Sequence, residues 1–305
     1  MSEYHTPVLL NASVSALVTN PSGLYIDATF GGGGHTAEIL SRLNRSGKVI
    51  AFDRDTDALK NAPQDGRLVL IHNNFRFVRN YVRLLAKEKG LPEKADGVLA
   101  DLGVSSHQFD TPERGFSFRY DAPLDMRMNT QAGLSAADVV NTYEAADLEK
   151  ILRLYGEVDK PGKLAALIVA ARGKAAIATT GDLDKALEPA LPKLAEHKFL
   201  AKVYQALRIE VNQEMRSLEK FLMALPDVVA KGGRLAIITY HSLEDRMVKN
   251  FIKTGNIEGR QEKDSFGRMI TPFEALDRKP ILPSEEEIQR NTRARSAKLR
   301  TAIRV

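Results

Sequence analysis

Cysteine is absent from the 305 residues. Its absence removes disulfides, thiolate metal sites and structural zinc from consideration; a reducing compartment is allowed, and no metal is expected. Long apolar runs are missing too: no stretch approaches the roughly 20 residues that span a bilayer, and residues 1–6 are polar, without a hydrophobic signal core. These absences predict a soluble, cytoplasmic chain with no membrane partner. Acidic residues vanish between positions 288 and 305, where Arg290, Arg293, Arg295, Lys298, Arg300 and Arg304 stand unopposed. With a net charge of +5 over the whole chain, that segment offers either a footprint for phosphates or a solvated tail. Ala297, Leu299, Ala302 and Ile303 interleave with the charges, so part of it is expected to pack as a strand.

What is present is led by Asp27-Ala28-Thr29-Phe30-Gly31-Gly32-Gly33-Gly34-His35. Residues 24–30 suit a buried strand, and the glycines then remove every side chain where the chain must turn, so that bare backbone can approach a ligand. A second apolar run, 48–52, leads into Asp53, 19 residues after Gly34, about the spacing at which a carboxylate meets a ribose hydroxyl pair. Position 36 is Thr, so the dinucleotide fingerprint G-x-G-x-x-G is not completed, and no Gly-Lys-Ser/Thr follows to make a P-loop. A strand, a glycine loop and an acid without a phosphate clamp suit an adenosyl cofactor that lacks phosphates, S-adenosylmethionine. The plainer alternative is a strand-to-helix turn, which seldom needs four consecutive glycines.

Apolar runs at 24–30, 49–52, 68–72 and 97–102 alternate with helical stretches, the pattern of parallel βαβ units and a doubly wound sheet. A further strand is expected at 234–240, after the turn Lys231-Gly232-Gly233. From about Ser135 to Leu225 the spacing is helical: Leu148, Ile151, Leu152 and Tyr155, then Leu164, Leu167, Ile168 and Ala171, with Gly181 as punctuation. Leu200, Val203, Leu207, Val211, Met215, Leu218, Leu222 and Leu225 trace one stripe, which reads as the buried face of one long helix ended by Pro226. The expected organisation is an α/β cofactor-binding domain of residues 1–108 and 226–305. Residues 109–225 form an insertion that holds an arginine- and aromatic-rich loop and a helical subdomain.

In open α/β sheets ligands bind beyond the carboxyl ends of the strands. The residues expected there are Gly31 to His35, Asp53, Asn73-Asn74-Phe75 and Asp101-Leu102-Gly103-Val104-Ser105-Ser106-His107-Gln108. Phe75 can lie against an adenine ring or pack in the core. Asp101 can accept a hydrogen bond from the cofactor or from a substrate amine. Arg114-Gly115-Phe116-Ser117-Phe118-Arg119-Tyr120-Asp121 and Pro123-Leu124-Asp125-Met126-Arg127-Met128 mix arginines with aromatics. That mixture suits single-stranded nucleic acid, RNA or DNA, and equally an Arg and Asp network that pins a loop. The last predicted strand runs into Tyr240-His241-Ser242-Leu243-Glu244-Asp245-Arg246. No G-x-S-x-G elbow surrounds Ser242, so His241 reads as a substrate-positioning residue rather than a hydrolase base. A helix start capped by Ser242 and Asp245 is the structural alternative.

These strings, with Tyr4-His5-Thr6-Pro7-Val8-Leu9-Leu10 and Arg293-Ala294-Arg295-Ser296, resemble end to end the MraW (RsmH) family of bacterial 16S rRNA cytosine N4-methyltransferases. The resemblance implies a Rossmann-like S-adenosylmethionine-dependent methyltransferase sheet with an inserted all-helical subdomain. It implies methylation of N4 of cytosine 1402 in the 16S rRNA of the small ribosomal subunit. Carried over residue by residue, the cofactor positions are Gly33, Gly34, His35, Asp53, Phe75, Asp101 and Gln108. Asp101 and His241 are the catalytic candidates. Arg114, Phe116, Phe118, Arg127, Asn212, Ser242, Arg293 and Arg295 are the substrate-side candidates. The chain departs from the family at His197-Lys198-Phe199-Leu200-Ala201-Lys202-Val203-Tyr204, where a His-Pro-Ala-Thr-Arg-like string is usual, and at Thr292, where proline is usual. Many amino-methyltransferases carry a D/N/S-P-P-Y/F loop after the fourth strand; Asp101 to Ser106 stands there without the prolines or the aromatic.

Overall fold

The computed structural model describes residues 7–131, 133–267 and 270–305; residues 1–6, with the Tyr4-His5-Thr6 part of the amino-terminal string, lie outside the described residues. The strands are β1 (Leu24–Asp27), β2 (Lys48–Asp53), β3 (Leu68–His72), β4 (Ala95–Asp101), β5 (Val229–Thr239), β6 (Phe273–Ala275) and β7 (Lys298–Arg304). They form one sheet in the order β3-β2-β1-β4-β5-β7-β6. Strands β1 to β5 pair in parallel, and β7 runs antiparallel to both β5 and β6. The chain winds outward on one side of β1 and returns on the other. The switch point between β1 and β4 is where a doubly wound, Rossmann-like sheet opens a crevice at its carboxyl edge.

Buried parallel strands read as apolar runs because helices cover both faces of the sheet. One face packs Ile26, Phe52, Val98, Phe221, Leu222, Ile237 and Phe251, and the other packs Leu17, Tyr25, Ile39, Val49, Leu99, Ile238 and Leu299. The first apolar run outlasts its strand: β1 stops at Asp27, and Ala28 to Phe30 bend away while the Ala28 amide still donates to Leu99 O and the Phe30 amide to Phe52 O. β5 starts earlier than expected. It pairs Val229 with Ala95 and Arg234 with Gly97, so the turn at Gly232 (φ 80°) is a bulge within the strand and not its prelude.

The chain forms two compact units, one of the residues up to Gly103 together with Met215–Val305, the other Val104–Glu214. This moves the expected boundaries from 108/109 and 225/226 to 103/104 and 214/215, and the cause of the second shift lies in the long stripe. It belongs to two helices, Glu196–Asn212 and Glu214–Val228, parted by Gln213 in the left-handed region (φ 50°, ψ 42°). Leu200, Val203 and Leu207 fill the core of the second unit, whereas Leu218, Leu222 and Leu225 fill that of the first. Pro226 does not end the second helix, which runs on to Val228 and passes directly into β5. The second unit packs Val139, Leu148, Leu152, Leu164, Ile168 and Leu183 from its other helices around Leu207. Gly181 lies inside the helix Thr180–Leu187, where its amide donates to Asp121 and a Cβ would press on that carboxylate.

Candidate active site

The carboxyl ends of β1, β2, β3 and β4 each deliver a predicted residue. After β1, Gly31 (φ 52°) and Gly33 (φ 79°) take left-handed conformations that favour glycine, and Gly33 caps the helix Gly34–Arg42. Asp27, buried at the end of β1, accepts from Thr36 Oγ1 (2.7 Å) and from the Thr29 amide (3.1 Å); burial pushes its carboxyl up, and these bonds oppose the shift. Asp53 closes β2 and accepts from the Gly31 amide through Oδ2 (2.7 Å) and from the Asp55 amide through Oδ1 (2.8 Å). Beyond β3, Asn74 caps a 3-10 turn by accepting from the Arg76 amide and donates to Ser217 Oγ. Phe75 starts that turn half-buried, edge-on to Phe221 with ring centroids 5.1 Å apart. Core packing takes one side of Phe75 and leaves the ring partly open.

Asp101 closes β4 at the switch point. Its amide donates to Thr29 Oγ1 (2.7 Å), its Oδ1 accepts from the Tyr240 hydroxyl (2.7 Å), and its Oδ2 lies 3.9 Å from His35 Nδ1. About a quarter of the side chain stays accessible, at 23 %. Desolvation by the packed protein pushes Asp101 up to about 6; His35 and the Tyr240 bond oppose this, while Asp27 and Glu244 add to it. His35 is buried, with Nε2 3.2 Å from Val8 O. A carbonyl only accepts, so Nε2 carries the proton, and the neutral ring turns the Nδ1 lone pair toward Asp101. Burial holds the His35 pKa below the ordinary imidazole value, against the pull of Asp101. Two acceptors 3.9 Å apart suit a nitrogen that carries two hydrogens.

His241 follows Tyr240 and is itself the cap of the helix Ser242–Thr254. Its Nδ1 accepts from the Glu244 amide (3.4 Å), its Nε2 lies 3.2 Å from Glu244 Oε1, and Glu244 Oε2 accepts from the Tyr240 amide (2.9 Å). The expected cap of Ser242 with Asp245 is therefore replaced. Asp245 turns instead to Arg300 Nε (2.7 Å) and Lys298 Nζ (3.5 Å), which hold its carboxyl below the usual range although burial works the other way.

A family model described as the MraW methylase family matches residues 2–305. The chain belongs to the MraW methylase family. It is 54% identical over 299 residues to the ribosomal RNA small subunit methyltransferase H of Phocaeicola vulgatus, covering 98% of this chain and 97% of that one. It is 52% identical over 302 residues to the protein of the same name from Parabacteroides distasonis, covering 99% and 98%. A crystal structure of a rRNA methylase from Streptococcus thermophilus aligns with a TM-score of 0.43 at 14% identity over 99% of both chains.

The remaining candidates of this MraW methylase divide by burial. In the second unit, Gln108 forms a capping box with Ser105: Oε1 accepts from the Ser105 amide (3.1 Å), and the Gln108 amide donates to Ser105 Oγ (3.2 Å). Arg114 is buried and donates to the carbonyls of Arg127 and Met128, Phe116 is core, and Asn212 accepts from the Met128 amide while donating to Met126 O (2.7 Å) and Arg208 O (2.9 Å). Arg114 and Asn212 thus brace the unit's own backbone, and Phe116 packs in its core. Arg127 grips Asp125 through Nε and Nη2 (3.0 and 2.6 Å), and Phe118 packs against His197 and Tyr204. In the same loop Arg119 and Tyr120 face outward, the latter 60% exposed. Sequence does not distinguish them from their neighbours, because nothing in the pattern of that loop tells which side chains turn inward. In the first unit, Ser242 and Arg295 are exposed, and Arg293 is half-buried in the 3-10 turn Thr292–Ser296.

Proposed function

We propose that this chain is an S-adenosylmethionine-dependent methyltransferase that modifies N4 of cytosine 1402 in the 16S rRNA of the small ribosomal subunit, in the cytoplasm. The observation that carries the chemistry is Asp101, a partly accessible carboxylate at the switch point whose Oδ2 lies 3.9 Å from His35 Nδ1. An exocyclic cytosine amine is a poor nucleophile because its lone pair is delocalised into the ring. A hydrogen bond to Asp101 draws on an amine proton and returns electron density to that nitrogen. With a pKa of about 6 the carboxyl is mostly ionised at neutral pH, so it is present as an acceptor and stands close to the strength a proton acceptor needs.

The residues present fit the cofactor. The loop 31–34 is bare backbone with no cationic phosphate clamp, Asp53 keeps lone pairs beyond its two amide bonds, and Phe75 offers a partly open ring. When bound, S-adenosylmethionine supplies an electrophilic methyl group on a sulfonium. The chain's part is to hold the amine in line, and positioning of this kind is worth about 7–11 kcal/mol at near-attack geometry. Gln108 and the substrate-side residues Ser242, Arg293 and Arg295 belong to this proposal. The test is methyl transfer from labelled cofactor to purified small subunits, with the product nucleoside mapped. N4-methylcytidine at the named position is expected; no transfer, or another nucleoside, overturns the reading.

A further inference from the structure

We infer that Tyr240 is a positioning residue for the methyl transfer: its phenol holds one oxygen of Asp101 and sustains the carboxylate, leaving the other oxygen to the substrate amine. This rests on the reading of Asp101 given above. The Tyr240 hydroxyl lies 2.7 Å from Oδ1, whereas Oδ2 lies 3.9 Å from His35 Nδ1, on a side chain that keeps 23 % of its surface accessible. The phenol is delivered by a clamped backbone, because the Tyr240 amide donates to Glu244 Oε2 (2.9 Å) at the point where β5 gives way to the helix capped by His241. Burial and the Asp101 charge hold the Tyr240 phenol well above its ordinary pKa, so it remains a donor across the whole working range.

The neighbours of Asp101 make this bond matter. His35 faces it from the helix Gly34–Arg42, Asp27 from β1, Glu244 from the helix Ser242–Thr254, and Tyr240 from the end of β5. Asp27 and Glu244 disfavour the carboxylate; positive charge on His35 favours it, but burial holds that imidazole below its ordinary value and so limits the charge. Among the described residues the Tyr240 hydroxyl is the one side-chain hydrogen bond that favours the charged form. A charge-assisted bond of this length is strong, and removing it raises the carboxyl's pKa.

Tyr240→Phe keeps the ring and deletes the donor. Two readouts test the inference: the Asp101 carboxyl titrated by carbon NMR, and single-turnover rates on small subunits at saturating cofactor between about pH 5.5 and 9. The titration should move upward. A carboxyl that titrates about one pH higher is ionised up to about tenfold less on the acid side, so the rate deficit should approach about tenfold below pH 6 and shrink toward pH 9. An unmoved titration overturns the inference whatever the rates do. A raised titration with unchanged rates overturns the reading of Asp101 as an acceptor in the reaction, and a deficit equal at every pH assigns Tyr240 to packing.

Discussion

The Gly31 amide donates to Asp53 Oδ2 across 2.7 Å, so the carboxylate at the end of β2 fixes the glycine loop that follows β1. Asp53 thus has a second task beside the expected ribose contact: it shapes the bare backbone the cofactor meets. Asp53→Ala should weaken S-adenosylmethionine binding by about 1.5–3 kcal/mol, one to two decades, as befits a charged hydrogen-bond partner. Asp53→Asn should weaken it as well, because the Gly31 and Asp55 amides donate to different oxygens and the variant's NH2 group would face one of them, donor against donor. Calorimetry reads both variants. Wild-type affinity in the alanine variant would remove Asp53 from the cofactor site.

The sheet was legible because parallel strands buried on both faces leave continuous apolar runs, and β3 falls on residues 68–72 as expected. The carboxylates were legible for a related reason: a charged residue that terminates an apolar run marks a strand end. The break at Gln213 left no such mark. A single left-handed residue that is not glycine interrupts the helix without interrupting the apolar spacing, so two helices read as one. Nor does spacing bring Tyr240 to Asp101, 139 residues away, although each stands at the end of an apolar run. Asn212 was read as substrate-side from resemblance alone; its contacts face Met126 and Met128.

Asn212 accepts from the Met128 amide and donates to Met126 O, which ties its helix to the backbone at 126–128, and it also donates to Arg208 O within that helix. Asn212→Ala should therefore destabilise the second unit by about 2 kcal/mol or more, the scale for buried hydrogen bonds to backbone groups. Denaturant unfolding measures this. A variant with wild-type stability and reduced methyl transfer would instead return Asn212 to the substrate side.

Exposed Arg295 and half-buried Arg293 share one turn and differ in what they can offer RNA. If the basic terminus meets phosphates, Arg295→Ala should flatten the salt dependence of small-subunit binding by up to about 0.9 log units of slope for a duplex contact. Cofactor affinity should stay unchanged. An unaltered slope, measured by binding at several salt concentrations, would take Arg295 out of the interface.

Asp101 is held at a cost to the fold, and that gives its replacement two opposite effects. Its carboxyl titrates near 6 in the folded chain against 3.8 ordinarily. Between those values the folded state binds more protons than the unfolded one, so stability falls as pH rises through that window and stays lower above it. Asp101→Asn removes the charge, keeps an oxygen for the Tyr240 hydroxyl, and can turn its amide toward the His35 Nδ1 lone pair. The variant should melt higher than wild type at pH 7–8, and that gain should fade toward pH 4, where the wild-type carboxyl is itself protonated. Turnover should move the other way, with the single-turnover rate at saturating cofactor falling far more than cofactor affinity does, because a group used in the transition state acts on kcat. Melting curves and single-turnover kinetics on one preparation read both effects. A loss confined to cofactor affinity, with the saturated rate intact, would leave Asp101 a binding residue and not a catalytic one.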